Sequence, residues 1–343
     1  MKVLVTGGSG FIGSHTVVEL QNAGYGVVAL DNFENSAPVV VENIQKITGK
    51  SFDFIKADIR NKEALHDVFE KHPDIKAVIH FAAYKAVGES VENPLAYYEN
   101  NVGGTANLVE AMQKHCVQHL VFSSSCTVYG DVTADALPIT EDSPVVKANS
   151  PYGNTKKICE EMLFDVSKSS NTKVVALRYF NPIGAHDTAL IGELPNGVPN
   201  NLIPFVTQTA IGIREKLTVF GNDYPTRDGS CIRDFIHVVD LAKAHVKAIE
   251  FLSNNANPFS VFNIGTGNGN TVLEAITAFE KVSGKKLNYS IGPRREGDVV
   301  QIFASCDKAI NELGWKAERS LENALETAWK WELHLQELKA ANK

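Results

Sequence analysis

Tyr152 and Lys156 stand four residues apart in Tyr152-Gly153-Asn154-Thr155-Lys156, a spacing that puts a phenol and an ammonium on one face of a helix. Such a pair can take the hydroxyl proton of a secondary alcohol while its carbon loses a hydride. The phenol is the difficulty, because a pKa of about 10 keeps it protonated at neutral pH. One positive charge at about 5 Å, with an effective dielectric near 20, contributes roughly 3 kcal/mol, or about 2.4 pKa units. Lys156 is therefore the expected activator. With nine tyrosines in the chain, spacing alone is weak evidence, and position carries the weight. The pair follows an apolar run, Leu120 to Phe122, that ends in Ser123-Ser124-Ser125, and Ser125 offers a hydroxyl to hold the reacting oxygen and pass its proton along.

A hydride needs an acceptor. Lys2 to Thr6 runs into Gly7-Gly8-Ser9-Gly10-Phe11-Ile12-Gly13 and then into a helical pattern, so Gly7, Gly10 and Gly13 fall where a strand turns into a helix. Residues without Cβ let the backbone approach a pyrophosphate, whose charge then rests on the helix N-terminus. Asp31 ends the second strand, where a carboxylate accepts hydrogen bonds from an adenosine ribose. It would oppose an extra ribose phosphate, and no arginine follows in Asn32-Phe33-Glu34-Asn35-Ser36, so NAD is expected over NADP. Asp58, after the third strand, either meets the adenine amino group or caps a helix.

Positioning these groups requires a parallel sheet. Val3 to Val5, Val27 to Leu30, Phe52 to Ile55, Ala77 to His80, Leu120 to Phe122 and Val174 to Arg178 read as strands, alternating with amphipathic stretches. That alternation predicts an α/β, Rossmann-type doubly wound sheet with helices on both faces. Pro94 opens a helical pattern to about His115, and Pro151 another to about Lys168. From Asn181 the texture changes to Pro182, Gly184, Gly192, Pro195, Gly197 and Pro199. The expected division is 1–180 for an NAD-binding domain and 181–343 for a smaller mixed α/β substrate domain, with about 237–263 returning to the first sheet.

The chain has 343 residues, 44% hydrophobic and 21% charged, ample for a packed core and unlike a disordered or fibrous chain. A net charge of -7 without a basic patch argues against nucleic acid. Five scattered cysteines, Cys116, Cys126, Cys159, Cys231 and Cys306, form no Cys-x-x-Cys or metal spacing, so reduced thiols in a cytoplasmic protein and no metal are expected. Met1 to Val5 is too short for a signal peptide, and no long apolar run predicts a membrane span.

Taken together, these segments resemble the extended short-chain dehydrogenase/reductase family and, within it, the UDP-hexose 4-epimerases, along nearly the whole chain. The likeness runs through Asp58-Ile59-Arg60-Asn61, Phe81 to Ser90, Asn100-Asn101, Ser123 to Gly130, Arg178 to Pro182, Pro199 to Leu202, Phe220 to Thr226, Arg233-Asp234 and Arg294 to Asp298. It implies that Tyr152 is the base, Lys156 its electrostatic partner and Ser125 the relay. It implies an NAD site of Gly7, Gly10, Phe11, Ile12, Gly13, Asp31, Asn32, Phe33, Glu34, Asn35, Ser36, Asp58, Ile59, Phe81, Ala82, Ala83, Tyr84, Lys85, Asn100 and Phe180, beside Ser125, Tyr152 and Lys156. With Ser125 and Tyr152, it places a UDP-hexose against Asn181, Asn201, Leu202, Thr218, Val219, Phe220, Arg233, Arg295, Asp298 and Ile302. Arg233 and Arg295 make physical sense there, as bidentate cations for a diphosphate in an acidic chain. The implied activity oxidises C4 of UDP-galactose or UDP-glucose to a 4-keto sugar and returns the hydride to its other face. A homodimer through the helices near 95–115 and 152–168 is implied as well.

The family's 4,6-dehydratases resemble one another in carrying Asp-Glu after the serine position, whereas this chain has Cys126 and Thr127. A protein that keeps the cradle only to sense a cofactor would not need Ser125, Tyr152 and Lys156 together. Ile302 matches a position beside the C2 substituent of the sugar, where its stiff, branched side chain leaves more room than a tyrosine.

Overall fold

The computed structural model describes residues 1–295 and 298–341. Glu296 and Gly297, which belong to the Arg294 to Asp298 motif, lie outside the described residues. Six strands open the chain: β1 (Lys2–Thr6), β2 (Gly26–Asp31), β3 (Asp53–Lys56), β4 (Ile75–His80), β5 (His119–Ser125) and β6 (Lys173–Tyr179). With the strand Phe259–Ile264 they form one parallel seven-stranded sheet, in which Phe259–Ile264 is followed by β6, β5, β4, β1, β2 and β3.

Alternation along the strands supplies two apolar layers. Val3 and Val5 of β1 enter one core with Ala77, Ile79, Val121, Val175 and Leu177, while Leu4 enters the other with Val78, Leu120, Phe122, Val174 and Ala176. Helices cover both faces; Phe11–Asn22 and Val238–Asn254 pack on each other over the first. The chain winds outward from β1 in one direction and from β4 in the other, so the crevice beyond the C-terminal ends of β1 and β4 is a topological switch point, where ligands of such sheets bind.

The remaining strands build smaller sheets around a separate apolar cluster that includes Ile203, Phe235, Phe279, Leu325 and Trp329. Asn181–Ile183, Gln301–Ile302 and Gly269–Thr271 all pair with Ile232–His237, and Leu217–Phe220 pairs with Tyr289–Gly292.

One expected element differs. The pattern from Pro94 to His115 reads as a single helix, but the structure has α-helical Pro94–Tyr97, a π-helical segment Tyr98–Gly103 and α-helical Gly104–Lys114. The wide turn sets Asn100 and Asn101 inward. Asn101 Oδ1 accepts from Tyr84 N at 2.8 Å, and its Nδ2 donates to Tyr84 O and to Thr155 Oγ1 at 3.0 and 3.1 Å. Buried amides with that many partners favour an inserted residue over a regular turn. A 3.6-residue period holds no signal for it.

Candidate active site

The glycine turn is closed by the chain itself. Gly7 has φ +71°, and a Cβ on Gly13 would stand 2.0 Å from the Gly7 carbonyl oxygen. Gly10 caps the helix Phe11–Asn22 without a side chain, and no acidic residue occupies the first turn. The leading N–H groups thus have no anionic partner from the chain, which is what a diphosphate requires. Asp31 ties this turn to the loop after β2: Oδ2 accepts from Ser9 N at 3.2 Å, and Oδ1 from Phe33 N at 2.9 Å and Ser36 Oγ at 3.0 Å. A carboxylate has about four acceptor positions, so it keeps capacity for a ribose hydroxyl.

Around it, Phe33 takes a left-handed backbone, φ 64°, and stacks on Phe54. Asn32 Nδ2 donates to Glu34 and to Asp58, and Glu34 accepts from Tyr84 OH at 2.8 Å. Asp58 is not the cap of the next helix; Asn61 is. Arg60 grips the Asp58 carboxylate through Nε and Nη2 and, with Asn32 assisting, lowers it to about 2. Phe81, Ala82 and Ala83 follow β4 across from Gly7, with Ala82 N close to it. Ile59 and Val219 are taken up by apolar cores, so only their backbones remain for a ligand.

The helix Pro151–Ser169 starts where expected because Ser150 Oγ accepts from Gly153 N at 3.1 Å and Pro151 fills the first turn. Lys156, Cys159, Glu160, Leu163 and Ser167 form its buried stripe, and Tyr152 lies one turn before Lys156 on that face. Desolvation pushes the Tyr152 phenol up to about 12, with a hydrogen bond from Ser125 pulling the other way. Ser125 Oγ accepts from Thr127 N at 3.2 Å and Thr127 Oγ1 at 2.9 Å. Its own hydrogen is left to point at Tyr152.

Lys156 is seated at the end of β5. Its Nζ donates to Ser123 O at 2.6 Å and Ser123 Oγ at 3.1 Å and lies 4.9 Å over the Phe122 ring. Burial lowers the ammonium to about 8, with Cys159 and Glu160 opposing. Within this chain burial holds the phenol above its ordinary value, and the lysine braces the end of β5 through Ser123.

On the other side of the cleft Asp298 gathers two arginines: Arg295 Nη2 lies 2.7 Å and Arg233 Nη2 3.5 Å from its Oδ1. Arg295 also lies over Phe220, 5.4 Å from the ring centroid. Thr218 and Phe220 belong to the strand Leu217–Phe220, and Asn181 opens Asn181–Ile183. Asn201 precedes the helix that begins at Leu202. Phe180 and Ile302 are buried in one apolar cluster with Cys126. Among the described residues no group of three His, Cys, Asp or Glu is placed to hold a metal ion.

The sequence profile of the NAD dependent epimerase/dehydratase family matches residues 3–265. The chain belongs to that family. A UDP-glucose 4-epimerase of Bacillus subtilis is 53% identical over 333 residues, 97% of each chain. The solved epimerase of Stenotrophomonas maltophila, with bound NAD and formylated UDP-arabinopyranose, superposes with a TM-score of 0.95 at 47% identity, covering 98% of this chain and 99% of its own. That of Bifidobacterium longum, in complex with NAD+ and UDP, gives 0.93 at 45% identity, covering 97% and 98%.

In this epimerase/dehydratase-family site, sequence reasoning missed Thr127 as the partner of Ser125, Asn101 as the anchor of the π-helical turn, and Ser123 as the seat of Lys156. The serine run was visible. Which serine holds which group depends on how the helix Pro151–Ser169 crosses β5, and no spacing encodes that.

Proposed function

We infer that the protein interconverts UDP-galactose and UDP-glucose, an NAD-dependent isomerisation at C4 of the hexose that belongs to galactose metabolism. The observation that carries this reading is the convergence of Ser125, Tyr152 and Lys156 beside a glycine turn that offers bare N–H groups to a diphosphate, in a chain about half identical to UDP-glucose 4-epimerases. Gly7, Gly10, Gly13 and Asp31 would hold the cofactor's diphosphate and ribose. When bound, NAD supplies a place for the C4 hydride and a positive charge near Tyr152.

The chain's own residues do the rest. Tyr152, ionised under the positive charges of Lys156 and the bound cofactor, would receive the C4 hydroxyl proton by way of Ser125, and Lys156 also keeps the end of β5 in register with them through Ser123. Arg233 and Arg295, held by Asp298, would take the sugar-nucleotide diphosphate. Anchored there, the 4-keto sugar can turn its other face without leaving. Purified protein given UDP-galactose and no added NAD should yield UDP-glucose without net NADH; stoichiometric NADH would reject the reading.

We propose further that two copies associate through the helices near 95–115 and 152–168. Leu95 and Phe164 are 80% and 45% exposed there, apolar surface that such an association would cover. Light scattering at micromolar concentration should give twice the chain mass, and a monomer would count against this. No described helix is long and apolar enough to cross a membrane. The odd number of scattered cysteines fits the cytoplasm, which cell fractionation would test.

A further inference from the structure

Glu193 belongs to none of the residue sets above, yet it joins two of them. It lies in the segment that leaves Asn181–Ile183 and passes back to the helix Val39–Thr48 and the loop after β2. That segment is tied down along its length: Asn43 Nδ2 donates to Leu190 O at 2.8 Å, Trp331 Nε1 to Glu193 O at 2.9 Å, and Asn196 Nδ2 to Glu34 O at 2.9 Å. The Glu193 side chain is 12% exposed, and its Oε1 accepts two bonds, from Lys85 Nζ at 2.8 Å and from Asn201 Nδ2 at 2.6 Å. Lys85 comes from the loop after β4, on the dinucleotide side of the cleft. Asn201 precedes the helix Leu202–Ala210, on the sugar-nucleotide side.

The geometry points to Glu193 as a positioning residue that latches this strap across the cleft, holding Lys85 toward the cofactor and Asn201 toward the sugar nucleotide through one shared oxygen. The inference rests on the reading of the site as an NAD and UDP-hexose site. A ligand lying under a strap leaves only when the strap opens, so the latch acts on release more than on capture. A carboxylate acting solely as a charge would do the reverse, because it would repel a diphosphate and its removal would tighten binding. The sign of the effect on NAD release therefore separates a latch from a bystander.

Three proteins decide it: the wild type, Glu193→Gln and Glu193→Ala, all prepared as holoenzyme. Released NAD is followed after rapid dilution, and kcat and KM for UDP-galactose are measured with NAD in excess. Glutamine keeps an acceptor for Asn201 but loses the charge that Lys85 pairs with. As that lysine is largely exposed, NAD should leave about fivefold faster, with KM within about twofold of wild type. Alanine removes both bonds, so release should quicken by more than about tenfold and KM rise about fivefold, with kcat of the loaded enzyme within about twofold. Unchanged or slower release in both variants would overturn the proposal, as would a fall in kcat with release unaltered. If alanine prevents folding, the glutamine variant still decides. A wild-type protein that neither carries NAD nor epimerises would defeat the functional reading itself, a result the variants do not enter.

Discussion

Replacing Tyr152 by phenylalanine should lower kcat for UDP-galactose by about 10²-fold or more, the range expected when a general acid/base is lost, while KM for the sugar nucleotide stays close to wild type. In the proposed mechanism the phenol exchanges the proton with C4, and Ser125, already accepting two bonds from Thr127, offers a relay but no base. In the proposed site the sugar nucleotide's grip would come mainly from Arg233 and Arg295, which the substitution leaves alone. Steady-state kinetics on the NAD-loaded variant check this, and a loss under about tenfold would remove Tyr152 from its assigned role.

Arg178→Ala should cost about 3–5 kcal/mol of stability, the usual penalty for stripping one partner from a buried ion pair. Arg178 and Glu160 have side chains 6% and 9% exposed and form a fork: Nε reaches Oε1 at 3.0 Å and Nη2 reaches Oε2 at 2.6 Å. Ser124 also donates to Glu160, and Arg178 Nη1 donates to Tyr129 OH at 2.9 Å, which in turn donates to Asn263. Alanine would leave the Glu160 carboxylate buried beside Lys156 with its fork empty. Urea unfolding with saturating NAD measures the loss, and a drop below about 1 kcal/mol would contradict the account. Activity should fall too, because Ser124 lies between Ser123, which seats Lys156, and Ser125.

The contrast between these two residues shows what the sequence makes legible. Tyr152 stood out because its function depends on a local relation, four residues to Lys156 and one helix turn from Pro151. The glycine turn and Asp31 were legible for the same reason, since a strand-turn-helix and the end of the next strand are set by nearby residues. Arg178 and Glu160 read as an ordinary strand residue and an ordinary helix residue. Their pairing exists only because the helix Pro151–Ser169 lies across β5 and β6. Lys156 is the instructive case: the spacing marked the residue, but its seat on Ser123 follows from the crossing of the helix over β5 and is not local. Glu193 lay in the glycine- and proline-rich stretch that carried no periodic signal, so nothing local marked it.

The central claim is that C4 is inverted by oxidation and return of the same hydrogen within a closed site. UDP-galactose carrying deuterium at C4, incubated in ordinary water with the purified protein and no added NAD, tests it most directly. The account predicts UDP-glucose with its deuterium still on C4 and no buildup of NADH. Product with hydrogen from water at C4, or with deuterium at any other carbon, would contradict it.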